Sequence, residues 1–194
     1  MNISESLRQI FPVSEETIRK LESVATLIKV QKRRPIVTQG ERTDSIFIIN
    51  TGLFRVSFCN EDKEDTICFG LDGDPFTSVH SWLKHEPSKF SCIALTDSLV
   101  YQIKFADFEQ ISKEQPDLVL WTRNLLIEQI YAFEKKYSFL GTCNATTRYE
   151  QFLKLRPEIF NKIPIKYIAQ YLKISPETLS RIRSKIAKNN KQLH

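Results

Sequence analysis

Four of the five glycines in this 194-residue chain, Gly40, Gly52, Gly70 and Gly73, fall among short runs of β-type residues. The runs are Pro35-Ile36-Val37, Ser45 to Asn50, Leu53 to Cys59, Thr66 to Phe69, Ser91 to Leu95 and Leu99 to Ile103, rich in branched and aromatic side chains. Tight turns between strands need positive φ, which glycine adopts without steric cost. Short strands at regular spacing with such turns between them predict an antiparallel roll or barrel over residues 27–104. The 26 residues before it read as helical. Leu7, Ile10 and Phe11 precede Pro12, and Ser14 is placed to cap a second helix with Ile18, Leu21, Val24 and Ala25 on its apolar side.

From Pro116 the period changes and stays helical for about 25 residues, until Gly141 supplies an expected C-terminal cap. Val119, Arg123, Leu126, Ile130, Phe133, Tyr137 and Leu140 recur at alternating spacings of four and three, the seam of a coiled coil with Arg123 as its one misfit. A second row, Leu118, Trp121 and Leu125, starts on another side of the helix and suits docking onto the roll. Both rows packing within one chain is the plain alternative. The sustained heptad favours a helix pair across a homodimer, with Leu126, Ile130, Phe133 and Tyr137 at the interface.

Charge is segregated along the chain. Residues 141–194 carry 11 Lys and Arg against 3 Asp and Glu, a balance of +8, whereas residues 1–140 carry 17 against 20, or −3. A basic last quarter suits a polyanionic partner, although a merely solvated basic surface has the same composition, so residue pattern must decide. In this segment Thr147 and Glu150 have capping-box spacing ahead of Phe152, Leu153 and Leu155, in a helix expected to end before Pro157. After Pro164, apolar residues fall at Ile168, Leu172, Ile174, Leu179 and Ile182, with small Ala169 where two helices would cross closely. That is helix-turn-helix spacing, with Ile174 plugging the turn. Ser175 caps the second helix and Pro176 suits its first position, where an N–H has no intrahelical partner. Leu179, Ile182 and Ile186 share one side at 100° per residue, leaving Glu177, Ser180, Arg181, Ser184 and Lys185 on the other. Arginine can donate two hydrogen bonds to guanine and glutamate can accept one from cytosine, so this face is the candidate DNA-reading surface. Glu177 and Arg181, one turn apart, can instead simply pair with each other.

The order of these parts resembles the cyclic-AMP receptor and FNR (Crp/Fnr) family of bacterial regulators over nearly the whole chain. Gly40-Glu41 through Asp72-Gly73-Asp74 resemble that family's β-roll glycines, and Ser175-Pro-Glu-Thr-Leu-Ser-Arg-Ile resembles its recognition helix. The resemblance implies an α+β chain: a cyclic-nucleotide-binding-like sensor domain with flanking helices over residues 1–115, a dimerisation helix over 116–140 and a helix-turn-helix domain over 141–194. It implies a cytoplasmic transcription regulator whose partners are double-stranded DNA, a second copy of the chain, RNA polymerase and a small-molecule effector of unknown identity. Departures matter. Lys173 stands where the family usually has a turn glycine, which a left-handed conformation would make costly by about 1 kcal/mol. Pro176 replaces a basic residue often found there, so the DNA sequence read should differ. In the family's cyclic-nucleotide binders a Gly-Glu pair holds the ribose and an Arg-Ser or Arg-Thr pair clamps the phosphate; here the corresponding pairs read Thr77-Ser78 and Ser88-Lys89. No arginine remains to hold a phosphate bidentately, although Lys89 can act as a point charge. Cyclic AMP is therefore not the expected ligand. The roll binds something else at this pocket, or nothing, serving as a dimer scaffold.

Other classes fit less well. Cys59, Cys68, Cys92 and Cys143 show no close pairing and read as small apolar filler, and no cysteine precedes Cys59 to hold an FNR-type cluster. A metal-dependent enzyme on the roll would need clustered histidines; His80 and His85, in an apparent polar loop around Trp82, suit the surface. No catalytic site, metal or cofactor is expected, and no apolar run approaches the ~18 residues of a membrane span. A small-molecule binding module whose last helices only pack is the remaining alternative. It would show no salt-dependent affinity for DNA.

Overall fold

β3 (Ser45–Thr51) is the strand around which the fold is layered, because it is buried on both faces. Side chains alternate across a strand, so Ile46 and Ile48 turn one way and Phe47 and Ile49 the other. Phe47 and Ile49 join Val100, Phe54, Val56, Cys92 and Ala94 in a core between two sheets. Ile46 and Ile48 join Ile103 in a second core against helices, with Leu7, Leu21, Phe108, Leu118 and Trp121. Each fully buried large apolar side chain contributes about 1.5–3 kcal/mol, so placing four of them on successive residues makes this strand the best-anchored in the fold.

The computed structural model describes residues 1–61, 63–155 and 162–191, with residues 155 and 187–191 described through the backbone alone. The chain divides into two units, Met1–Ile130 and Tyr131–His194. In the first, α1 (Ile3–Ile10) and α2 (Glu15–Val24) precede β1 (Thr26–Val30), β2 (Pro35–Val37), β3, β4 (Phe54–Asn60), β5 (Lys63–Gly70) and β6 (Pro75–Phe76). α3 (Val79–Lys84), β7 (Ser91–Ala94), β8 (Ser98–Lys104) and α4 (Phe105–Glu114) follow, and α5 (Pro116–Thr142) continues into the second unit. The strands form two antiparallel four-stranded sheets, ordered β1-β8-β3-β6 and β2-β7-β4-β5. The second unit adds α6 (Ala145–Leu155), α7 (Ile165–Leu172) and α8 (Pro176–Lys191).

The expected antiparallel roll and terminal helices are present, with four elements added. β1 has one fully buried residue, Val30, with Ile28 packed beside it on the core, and is only five residues long. β6 is two residues long. α3 replaces the loop expected around Trp82, opened by Ser78, whose Oγ accepts from the Ser81 N–H. α4 fills the stretch between the last strand and Pro116. Gly40, Gly52 and Gly73 have positive φ as expected, but Gly70 does not; it ends β5 opposite Phe54, where a Cβ would stand 2.9 Å from Ile49 Cδ1. Gly52 is the most constrained, since at φ 136° its Cβ would stand 2.1 Å from Ser98 Oγ. Gly141 does not cap α5, which runs on to Thr142. α6 starts a turn earlier than the Thr147 box predicts: Asn144 Oδ1 accepts from the Thr147 N–H at 3.0 Å. The expected helix end before Pro157 lies outside the described residues. Of the four cysteines only Cys92 is buried filler, its thiol pushed well up by burial and further by Cys68; Cys59 and Cys68 are exposed and Cys143 is half-buried.

The row Leu118, Trp121 and Leu125 docks the start of α5 on the helical core, and the Trp121 Nε1–H donates to the Leu7 carbonyl at 3.0 Å. Asp117 secures the same end. Its carboxylate accepts from the Ser14 N–H and the Thr17 hydroxyl, both at 2.7 Å, tying the start of α5 to that of α2. Burial pushes this carboxyl up, but the bonds from Ser14 and Thr17 outweigh it and hold it below the ordinary aspartate value. A depressed pKa means stabilisation that is complete above the unfolded value of about 3.9 and lost as pH falls through the lower folded one. Asp117→Ala should lower unfolding free energy by about 1–2 kcal/mol at neutral pH, the size of a charged cap with two good donors. In urea titrations the gap from the unmutated chain should close as pH drops below the aspartate range; equal stability at pH 7 would show that the bridge contributes nothing.

Candidate functional site

α7 and α8 are joined by a turn whose backbone hydrogen bonds define its geometry. Lys173 adopts φ 54°, ψ 48°, the left-handed conformation expected there. Its N–H donates to Gln170 O at 3.1 Å, and the Ile174 N–H reaches back to Ala169 O at 3.0 Å. This is a Schellman ending, in which two orphan carbonyls of α7 are satisfied and the chain is redirected at once. Ser175 then caps α8, its Oγ accepting from the Thr178 N–H at 3.1 Å. Ile168, Ala169, Leu172, Leu179 and Ile182 are buried between the helices, with Tyr149 and Phe152 of α6 beside them and Ile174 half-buried at the turn. Phe152 packs on Tyr171 with ring centroids 5.4 Å apart. Burial pushes the Tyr149 hydroxyl up, and Arg183 partly offsets that.

Glu177, Ser180, Arg181, Ser184 and Lys185 are all exposed on α8. The expected alternative, a Glu177–Arg181 ion pair, is not among the pairs formed by the described residues. Instead Arg181 Nη2 donates to Thr178 Oγ1 at 3.3 Å, and Ser175 and the Glu177 backbone hold the Glu177 carboxyl below its ordinary value. Thr178, which sequence reading passed over, thus steadies the arginine. The signal was its i, i+3 spacing from Arg181.

On α5 the heptad row faces outward. Leu126 is 39% exposed, Ile130 60%, Phe133 66% and Tyr137 76%. Val119 is also exposed, and Leu140 is half-buried.

The four roll residues singled out as a ligand pocket lie on either side of α3. Three have hydroxyls engaged with the protein itself. Thr77 Oγ1 donates to the Ser45 carbonyl at 3.0 Å, Ser78 caps α3, and Ser88 Oγ donates to the Phe90 carbonyl at 2.7 Å while accepting from the Phe90 N–H. Ser88 is also pinned through its backbone: its N–H donates to Glu41 O and its carbonyl accepts from the Gly40 N–H. Lys89 is exposed. His80 is half-buried in α3 and His85 is exposed just after it, in the left-handed conformation. Among the described residues no three His, Cys, Asp or Glu side chains gather as metal ligands do, and no helix is long and apolar enough to cross a membrane.

Residues 27–115 match the family model of the cyclic nucleotide-binding domain. Most of the chain is similar in fold to several solved structures. Against CLP of Xanthomonas campestris, described as a c-di-GMP-responsive global regulator, the TM-score is 0.77 at 12% identity, covering 91% of this chain and 93% of that one. FixK2 of Bradyrhizobium japonicum gives 0.74 at 20% identity over 86% of each chain. The catabolite activator protein of Thermus thermophilus gives 0.61 at 19% identity, over 95% of this chain and 88% of that. Comparison with curated protein sequences found no match. Residues 27–115 thus resemble a cyclic nucleotide-binding domain, carried in a chain that has the fold of these solved structures.

Proposed function

We propose that this chain is a cytoplasmic, sequence-specific DNA-binding transcription regulator of the Crp/Fnr type, acting as a homodimer and not controlled by cyclic AMP. The observation that carries the reading is the α7–α8 pair: a tight Schellman turn and a capped α8 whose outward face bears Glu177, Ser180, Arg181, Ser184 and Lys185. The +8 balance of residues 141–194 supports it, since phosphate contacts supply much of the affinity for duplex DNA. In this reading residues 1–115 sense, 116–140 dimerise and 141–194 read DNA. RNA polymerase is a partner, and the effector, where one exists, is a small molecule.

Dimerisation rests on the outward row of α5. A contiguous stripe of exposed Leu126, Ile130, Phe133 and Tyr137 at heptad spacing is self-complementary, and a second copy covers it as no side chain of the same helix can. Against cyclic AMP stand the missing arginine and glutamate and the engagement of Thr77, Ser78 and Ser88 by the protein's own backbone.

Three measurements test these points. Recognition helices read bases with their N-terminal residues, so Arg181 and Lys185 should differ in kind. Arg181→Ala should cost about 1–3 kcal/mol on the best duplex and relax preference at one base pair per half-site, whereas Lys185→Ala should weaken all duplexes alike and lower the salt slope by about one unit per half-site. If neither change alters affinity for specific or scrambled duplexes, α8 is not the reading element. Ile130→Glu with Phe133→Glu should give monomers by sedimentation, and a wild type already monomeric at micromolar concentration contradicts the seam. Cyclic AMP titrated calorimetrically should bind no tighter than about millimolar, because a neutral hydroxyl replaces the ribose-binding carboxylate and no bidentate phosphate donor remains. A micromolar constant overturns that part of the reading.

A further inference from the structure

Glu177 and Arg181, the two charged side chains nearest the start of α8, stand one turn apart, a spacing at which glutamate and arginine on a helix ordinarily pair. Both are exposed, and among the described residues they form no ion pair. Each is engaged through a neutral hydroxyl instead. Ser175 Oγ caps the helix by accepting from the Thr178 N–H at 3.1 Å, and it donates to Thr178 Oγ1 at 3.2 Å. Thr178 Oγ1 accepts a second time, from Arg181 Nη2 at 3.3 Å. On the other side, Ser175 and the Glu177 backbone hold the Glu177 carboxyl below its ordinary value, with the Arg181 charge contributing least. Thr178 is half-buried, and its branched Cβ leaves few χ1 rotamers open in a helix, so its oxygen is an acceptor of nearly fixed position.

An arginine side chain has many rotamers, and those outside the binding geometry have to be given up when it meets a base. A hydrogen bond at 3.3 Å on an exposed surface is weak against water, so it biases the guanidinium rather than locking it. A bias is enough here, because the competing arrangement, an exposed pairing with Glu177 at i, i+4, is weak as well. That pairing would tie the two charged groups to each other and take both from base edges. We propose that Thr178 is a positioning residue of the reading face: its hydroxyl, held by the Ser175 cap, keeps Arg181 off Glu177 and so sets the specificity at the base pair that Arg181 reads. The proposal rests on the DNA-binding reading of α8, and one arm of its test needs no DNA.

The test compares, in the intact chain, Thr178→Val, which keeps the branched shape and loses the oxygen, with Thr178→Ser, which keeps the oxygen. Without DNA, NMR titration of the Glu177 carboxyl should show a lower midpoint in Thr178→Val, because an arginine freed from the hydroxyl pairs with the carboxylate and favours its charged form. Thr178→Ser should titrate as the unmutated chain does, and the downshift should vanish when Arg181→Ala is also present. Mere fraying of the helix start would raise the midpoint instead, since the carboxylate would lose the backbone donors and dipole that favour it. With DNA, discrimination against a duplex altered at the base pair whose preference Arg181→Ala relaxes should fall about threefold or more in Thr178→Val. The salt slope should stay unchanged, Thr178→Ser should recover the discrimination, and the valine should have no further effect in the Arg181→Ala background. A Glu177 midpoint that does not fall, or that falls equally without Arg181, overturns the proposal, as does unchanged discrimination in Thr178→Val while Arg181→Ala relaxes it. Binding to every duplex untouched by all the variants, Arg181→Ala included, overturns the DNA-binding reading along with it.

Discussion

The arrangement depends on how α5 is held at its beginning. Leu118 and Trp121 are almost fully buried against the helices and outer face of β3, and the indole N–H is matched to the Leu7 carbonyl, so this turn is fixed in position and in rotation about its axis. Rotation is what matters. In a helix of 3.6 residues per turn, burying 118, 121 and 125 on one side obliges 119, 126, 130, 133 and 137 to face elsewhere. The exposed stripe is therefore a consequence of the anchor. A tryptophan whose polar tip finds a buried acceptor can serve this way because its large apolar body is buried with no donor left unmatched.

That same logic explains why the helical parts were legible in the sequence and parts of the roll were not. The α5 rows, the Ser14 and Ser175 caps and the α7–α8 spacing are local patterns, fixed by chemistry within a turn or two of each residue. β1 pairs with β8, some 70 positions on, and as an edge strand of five residues it fully buries only Val30, so its local pattern is too short to announce it. α3 is six residues long, and its cap, Ser78, drew notice in the sequence only through its correspondence to the family's ribose-binding pair. Gly70 shows a similar limit: a strand glycine demanded by Ile49 packing above it resembles a turn glycine until the sheets are stacked.

The candidate sites divide along the same line. The outward residues of α8 followed from helical geometry alone. Thr77 was not legible, since its hydroxyl partner is the carbonyl of Ser45, 32 residues earlier.

Lys173 shows how the α7–α8 pair tolerates a departure from a glycine turn. A non-glycine residue in the left-handed region costs about 1 kcal/mol. Against this stand the two Schellman hydrogen bonds, each worth about 1 kcal/mol net, and the Ser175 cap, worth about as much again. The balance favours the turn, so a glycine is not required to build it. What the lysine adds is a positive charge, exposed at the junction of the two helices, in a segment already +8. In the proposed DNA-binding reading, a side chain with that charge at a turn this close to α8 suits a phosphate backbone better than the hydrogen of a glycine does, a physical reason for a strained residue where a relaxed one would fit.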